Sequence, residues 1–86
     1  MNLGLESIDY VRMMVKQGLV AKLRLSVCSI GNAGLQKLLD EDAIKDSLSL
    51  VELDLSCNGL TGKGISKLCE ALVHNKSISH VNLSSH

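Results

Sequence analysis

Large aromatic side chains are almost missing from this chain: it has no tryptophan or phenylalanine, and Tyr10 is the one tyrosine among 86 residues. A core must therefore be built from aliphatic side chains, and the dominance of leucine suits a stack of similar slots. Net charge is missing too. Nine basic and nine acidic residues cancel and are mixed along the chain, so bulk electrostatics selects neither nucleic acid nor an anionic membrane as a partner. The longest like-charge run is Asp40, Glu41, Asp42, with Lys37 and Lys45 four residues either side of Glu41. That spacing places the run on a solvated helix face.

Long apolar runs are also absent, and no segment reaches the roughly 20 residues that a membrane helix needs. Met1 to Arg12 contains Glu6 and Asp9 and does not resemble a signal peptide. Cys28, Cys57 and Cys69 make an odd set without a C-x-x-C pair. This argues against a disulfide framework and for reduced thiols, hence a cytoplasmic setting. Asn75-Lys76-Ser77 and Asn82-Leu83-Ser84 match glycosylation acceptors, but without a secretory signal so short a motif carries little weight. With 45% hydrophobic residues the chain is apolar enough to fold as one domain over residues 1–86.

The most informative stretch is Leu50-Val51-Glu52-Leu53-Asp54-Leu55-Ser56-Cys57-Asn58-Gly59-Leu60, which fits L-x-x-L-x-L-x-x-N-x-L at every fixed position. Leu53 and Leu55 alternate with Glu52, Asp54 and Ser56, the period of a strand with one buried face. Thr61 can cap a following helix, along which Ile65, Leu68, Cys69 and Leu72 form one apolar stripe. The pattern restarts at Ile78, Val81 and Leu83, an offset of 78 − 50 = 28 residues. Backward, Val20, Leu23, Leu25, Cys28 and Ile30 match Leu50, Leu53, Leu55, Asn58 and Leu60 at an offset of 50 − 20 = 30. Gly34, Leu35 and Leu38 likewise match Gly64, Ile65 and Leu68. The two extra residues fall around Asp42 to Ile44. Met14 holds before Val20 the place of Ile44 before Leu50 and of Leu72 before Ile78, so the first residues read as the helix half of an earlier unit.

Three matches in register resemble the leucine-rich-repeat family, and the long period with a helix per unit is similar to its ribonuclease-inhibitor-like subtype. The resemblance covers residues 7–86 and identifies a scaffold. It implies an α/β solenoid, a short horseshoe arc with parallel strands on the concave side and helices on the convex side. The expected division is a helix half at 7–19, units at 20–49 and 50–77, and a truncated unit at 78–86. In this family the asparagine after the strand bonds loop backbone, which assigns that role to Asn58; Cys28 and His86 stand in its place in the flanking units. The incomplete last unit reads as a fragment or a very short member, marginal in stability and expected to self-associate through an exposed sheet edge.

Catalytic and cofactor chemistry finds no support. Gly59-Leu60-Thr61-Gly62-Lys63-Gly64 lacks the first glycine and the final Ser or Thr of a phosphate loop. His74, His80 and His86 with Cys57 and Cys69 lack zinc spacing, Cys69 is expected in the core, and nothing beside Cys57 supplies a base. No cofactor and no metal are expected, and the chain is read as no enzyme. What remains is the strand face turned from the helices: Lys22, Arg24 and Ser26; Glu52, Asp54 and Ser56; His80, Asn82 and Ser84. With strands about 4.8 Å apart, Lys22 should face Glu52 and Arg24 should face Asp54. The reading is a non-catalytic module presenting this polar face to a protein partner. The alternative is the repeat portion of a larger regulatory protein, similar to a Ran GTPase-activating protein or a nucleotide-binding innate immune receptor.

Overall fold

Alternation of leucine with polar residues produces three short strands, and the apolar stripes between them produce helices. The computed structural model describes residues 4–26, 30–56 and 58–84. Their elements run α1 (Leu5–Lys16), β1 (Lys22–Arg24), α2 (Gly31–Leu39), β2 (Glu52–Asp54), α3 (Gly62–His74) and β3 (His80–Asn82). The strands form one open parallel sheet in the order β1-β2-β3. Parallel pairing needs a crossover between strands, and α2 and α3 supply it. Leu23 pairs with Leu53 and Leu53 with Val81, so the repeat offsets seen in sequence are the register of the sheet.

Leu23, Leu25, Leu50, Leu53 and Leu55 point from the strand side into a core that Ile8, Val15, Leu35, Leu38 and Leu68 close from the helices. Each such side chain contributes about 1.5–3 kcal/mol by leaving water. Asn58 is sealed beneath the turn after β2. Its Nδ2 donates to the carbonyls of Leu25 (2.7 Å), Leu55 (3.0 Å) and Ser56 (3.2 Å), and its Oδ1 accepts from the Ile30 amide (3.3 Å). One side chain thereby ties two neighbouring units.

A second asparagine does equivalent work at the other end of the strands, and its role was not legible in the repeat pattern. Asn75, just past α3, donates to the carbonyls of Ile44 (2.7 Å) and Ser47 (3.1 Å) and accepts from the amides of Ser77 and Ile78. Ser77 Oγ donates to the Leu50 carbonyl at 2.6 Å. Both ends of that glycosylation motif are thus consumed by the fold.

Several expectations are corrected. Met14 is 42% exposed and Val15 is buried instead. Counting back from the strand fails here because α1 continues unbroken to Lys16, whereas α2 gives way to a single 3-10 turn at Asp40–Asp42. Glu41 and Asp42 adopt φ of 59° and 56° in that turn, so the acidic run bends the chain and forms no regular helix face. It clasps α1: Glu41 lies 3.2 Å from Lys16 Nζ and 3.4 Å from Arg12 Nε. Arg12 Nη1 also donates to Asp9 (2.8 Å) and to the Lys37 carbonyl (2.9 Å), and Lys37 lies 3.4 Å from Asp9.

Cys69 is exposed, because among the described residues no helix packs on the far side of α3. Thr61 holds the N-cap position of α3 in extended conformation but makes no side-chain capping bond. Its hydroxyl accepts from Asn32 Nδ2 (2.6 Å) and its amide donates to Asn32 Oδ1 (3.1 Å). That reciprocal pair joins the starts of α2 and α3 where Gly64 leaves no room for a side chain, since a Cβ there would meet Asn32 Cγ at 2.8 Å. Cys28, Cys57 and His86, assigned places in the turns, lie outside the described residues.

Candidate functional site

The alternation that buries Leu23 and Leu53 turns their neighbours to the opposite face. Lys22 and Arg24 are exposed on β1, Glu52 and Asp54 are half-buried on β2, and His80 and Asn82 are exposed on β3. Lys22 pairs in register with Glu52 and then His80, and Arg24 with Asp54 and then Asn82. Ser26 and Ser84 are exposed beyond the strand ends, whereas Ser56 is buried. A groove of about 450 Å3 lies beside β2 and β3, lined in part by Glu52, Asp54, His80 and Asn82.

The charge pairing on this face differs from the backbone register. Arg24 Nε donates to Glu52 Oε2 at 2.6 Å, a diagonal contact. Asp54, its register partner, is occupied locally: its Oδ1 accepts from the Ser56 amide (3.0 Å) and hydroxyl (2.8 Å). Asn82 repeats that arrangement with Ser84 at 3.0 and 2.9 Å. The Arg24 hydrogen bond holds the Glu52 carboxyl below the ordinary glutamate range, and Glu52 in turn raises Arg24. The Ser56 bonds hold Asp54 below the ordinary aspartate range, with Arg24 a lesser cause. These shifts keep Arg24 cationic on β1 and Glu52 and Asp54 anionic on β2 near neutral pH. On β3, His80 Nδ1 lies 2.8 Å from Ser79 Oγ.

Residues 46–69, spanning β2 and most of α3, match the Leucine Rich repeat family model. The fold is a short leucine-rich-repeat arc. Over 64 residues the chain is 41% identical to NACHT, LRR and PYD domains-containing protein 14 of Mus musculus. That alignment covers 73% of this chain and 6% of the mouse protein's length. Among the described residues no group of three or more His, Cys, Asp and Glu side chains is placed to hold a metal ion, and no helix is long and apolar enough to cross a membrane. The described residues form a leucine-rich-repeat module with an exposed polar strand face.

Proposed function

We propose that this leucine-rich-repeat module serves as part of a regulatory protein of the NACHT and LRR kind, in the cytoplasm, and that it binds a protein partner through the strand face. The observation that carries the regulatory reading is the 41% identity over 64 residues to a protein of that description. The strand-face reading rests on Lys22, Arg24, Glu52, Asp54, His80 and Asn82 lying in register on the side away from the helices. The ribonuclease-inhibitor-like subtype and the division into units at 20–49, 50–77 and 78–86 belong to the same proposal, supported by the 30- and 28-residue offsets. Self-association through the sheet edge left unpaired among the described residues is part of the same proposal. The receptor branch takes precedence over the GTPase-activating one, so adding the chain to small GTPases should leave GTP hydrolysis unchanged.

A photo-crosslinking amino acid placed at Ser26 or Asn82, compared with one at Lys63 at the start of α3, tests the face in cells. Partner adducts should come from the first two positions. Against the partner so captured, Glu52→Lys with Asp54→Lys should slow association, and added salt should weaken the wild-type rate. Adducts mainly from Lys63, or a rate indifferent to both charge reversal and salt, would refute the strand-face reading.

A further inference from the structure

Strand β2 has a described neighbour on each side, so its two carboxylates can be matched against everything beside them. The two are matched unequally. Glu52 has a cation of its own, since Arg24 Nε donates to its Oε2 at 2.6 Å. Asp54 has none. Its register partner on β1 is that same Arg24, turned to Glu52, and its register partner on β3 is the neutral Asn82. Strand β3 presents His80, Val81 and Asn82, without a lysine or arginine. Lys22 lies across from Glu52 and makes no ion pair with Asp54 among the described residues. Both Ser56 hydrogens converge on Asp54 Oδ1, which leaves Oδ2 without a donor there.

We infer that the protein partner of the strand face brings a basic side chain, arginine or lysine, into the groove between β2 and β3, where Asp54 pairs with it and sets the partner's specificity. This deepens the strand-face reading and rests on it.

The groove has Glu52 and Asp54 on one side and His80 and Asn82 on the other. A partner that covers it strips water from each of these groups. For Glu52 the loss is offset by Arg24. An ionised Asp54 covered without a counter-charge is costly, because the two bonds from Ser56 do not replace the hydration of a full charge. Neutral partner groups therefore lose to a cation, and acidic ones lose most. A metal ion is the poorer occupant, since among the described residues no three His, Cys, Asp or Glu side chains gather to hold one.

Strand β3 shows which substitution isolates the charge. Asn82 stands beside Asp54 in register, and its Oδ1 accepts from the Ser84 amide and hydroxyl at 3.0 and 2.9 Å, as Asp54 Oδ1 accepts from Ser56 at 3.0 and 2.8 Å. Asp54→Asn keeps both local bonds and removes only the charge.

A displayed library of random peptides, selected on the 86-residue chain, tests the inference, with the photo-crosslinker at Asn82, Ser26 or Lys63 reporting where each peptide sits. Peptides captured through Asn82 or Ser26 should be enriched in arginine and lysine. They should bind Asp54→Asn at least about tenfold more weakly, and should bind Glu70→Gln, on the exposed surface of α3, as they bind the wild type. Selection on Asp54→Lys should return acidic peptides instead. Peptides captured through Asn82 or Ser26 that lack basic residues, or that bind Asp54→Asn undiminished, overturn the inference and leave the strand-face reading standing. Basic peptides weakened equally by Glu70→Gln overturn it too, since they answer to overall charge. Peptides captured only through Lys63, or none selected at all, overturn the strand-face reading and this inference with it.

Discussion

Strands β2 and β3 carry the same alternation in the same register, yet their apolar residues fare differently. Leu53 and Leu55 are sealed, whereas Val81 is 43% exposed and Leu83 is half-buried. The alternation does not differ between them; the neighbours do. A strand in this architecture owes about as much of its burial to the following unit as to its own helix, which is the nearest-neighbour behaviour of stacked repeats. The buried turn asparagine shows the same dependence, since Asn58 reaches back to the Leu25 carbonyl and the Ile30 amide of the preceding unit.

Substitutions that treat the two strands alike should break this comparison if it is wrong. Leu53→Ala is expected to cost about 3 kcal/mol, against under about 1 kcal/mol for Val81→Ala because much of that side chain already meets water. Urea unfolding of the two variants decides it, and equal costs would mean that both strands sit in equivalent surroundings. Next in size, Asn58→Ala should lose about 2–3 kcal/mol by stranding buried carbonyls and the Ile30 amide. Asn82→Ala, at an exposed position on β3, should stay within about 0.5 kcal/mol.

The helices allow the same comparison at smaller scale. Removing Arg12, which joins α1 to the Lys37 carbonyl, should cost about 1–2 kcal/mol. Glu70→Ala on exposed α3 surface should fall within about 0.5 kcal/mol. Thermal unfolding of the pair would sharpen the contrast between a clasped flank and a bare one.

The smallest effect is a titration. Glu52 and Asp54 have folded-state values below their ordinary ranges, so their contribution is complete above those ranges and is lost as pH falls through the lowered values. Asn82, in the place of Asp54 on β3, contributes nothing of this kind. Carboxyl carbon resonances should show both groups titrating low. Arg24→Ala should return Glu52 most of the way and barely move Asp54, whereas Ser56→Ala should move Asp54 and leave Glu52.

What could be read in the sequence was whatever one unit determines by itself. The spacing of Leu50, Leu53 and Leu55 announced a strand and its buried face, and its repetition at Val20 and Ile78 announced the order of the sheet. The polar face followed from the same alternation. What could not be read depends on the next unit in space: the reciprocal bonds of Asn32 and Thr61, the diagonal pairing of Arg24 with Glu52, and the exposure of Cys69. Asn75 was missed for a related reason, because its partners Ile44 and Ser47 lie one unit earlier.

The bend at Glu41 and Asp42 has a consequence for how such arcs change over time. One interval between strands is 30 residues and the next is 28, yet Leu53 sits squarely between Leu23 and Val81. The surplus is taken up where two residues turn left-handed, a conformation that asparagine or glycine holds with less strain. This corner acts as the chain's length adjuster. Residues can be inserted or deleted there while Leu50 keeps its seat, so variation among related arcs should gather on this side of the helices and spare the strands.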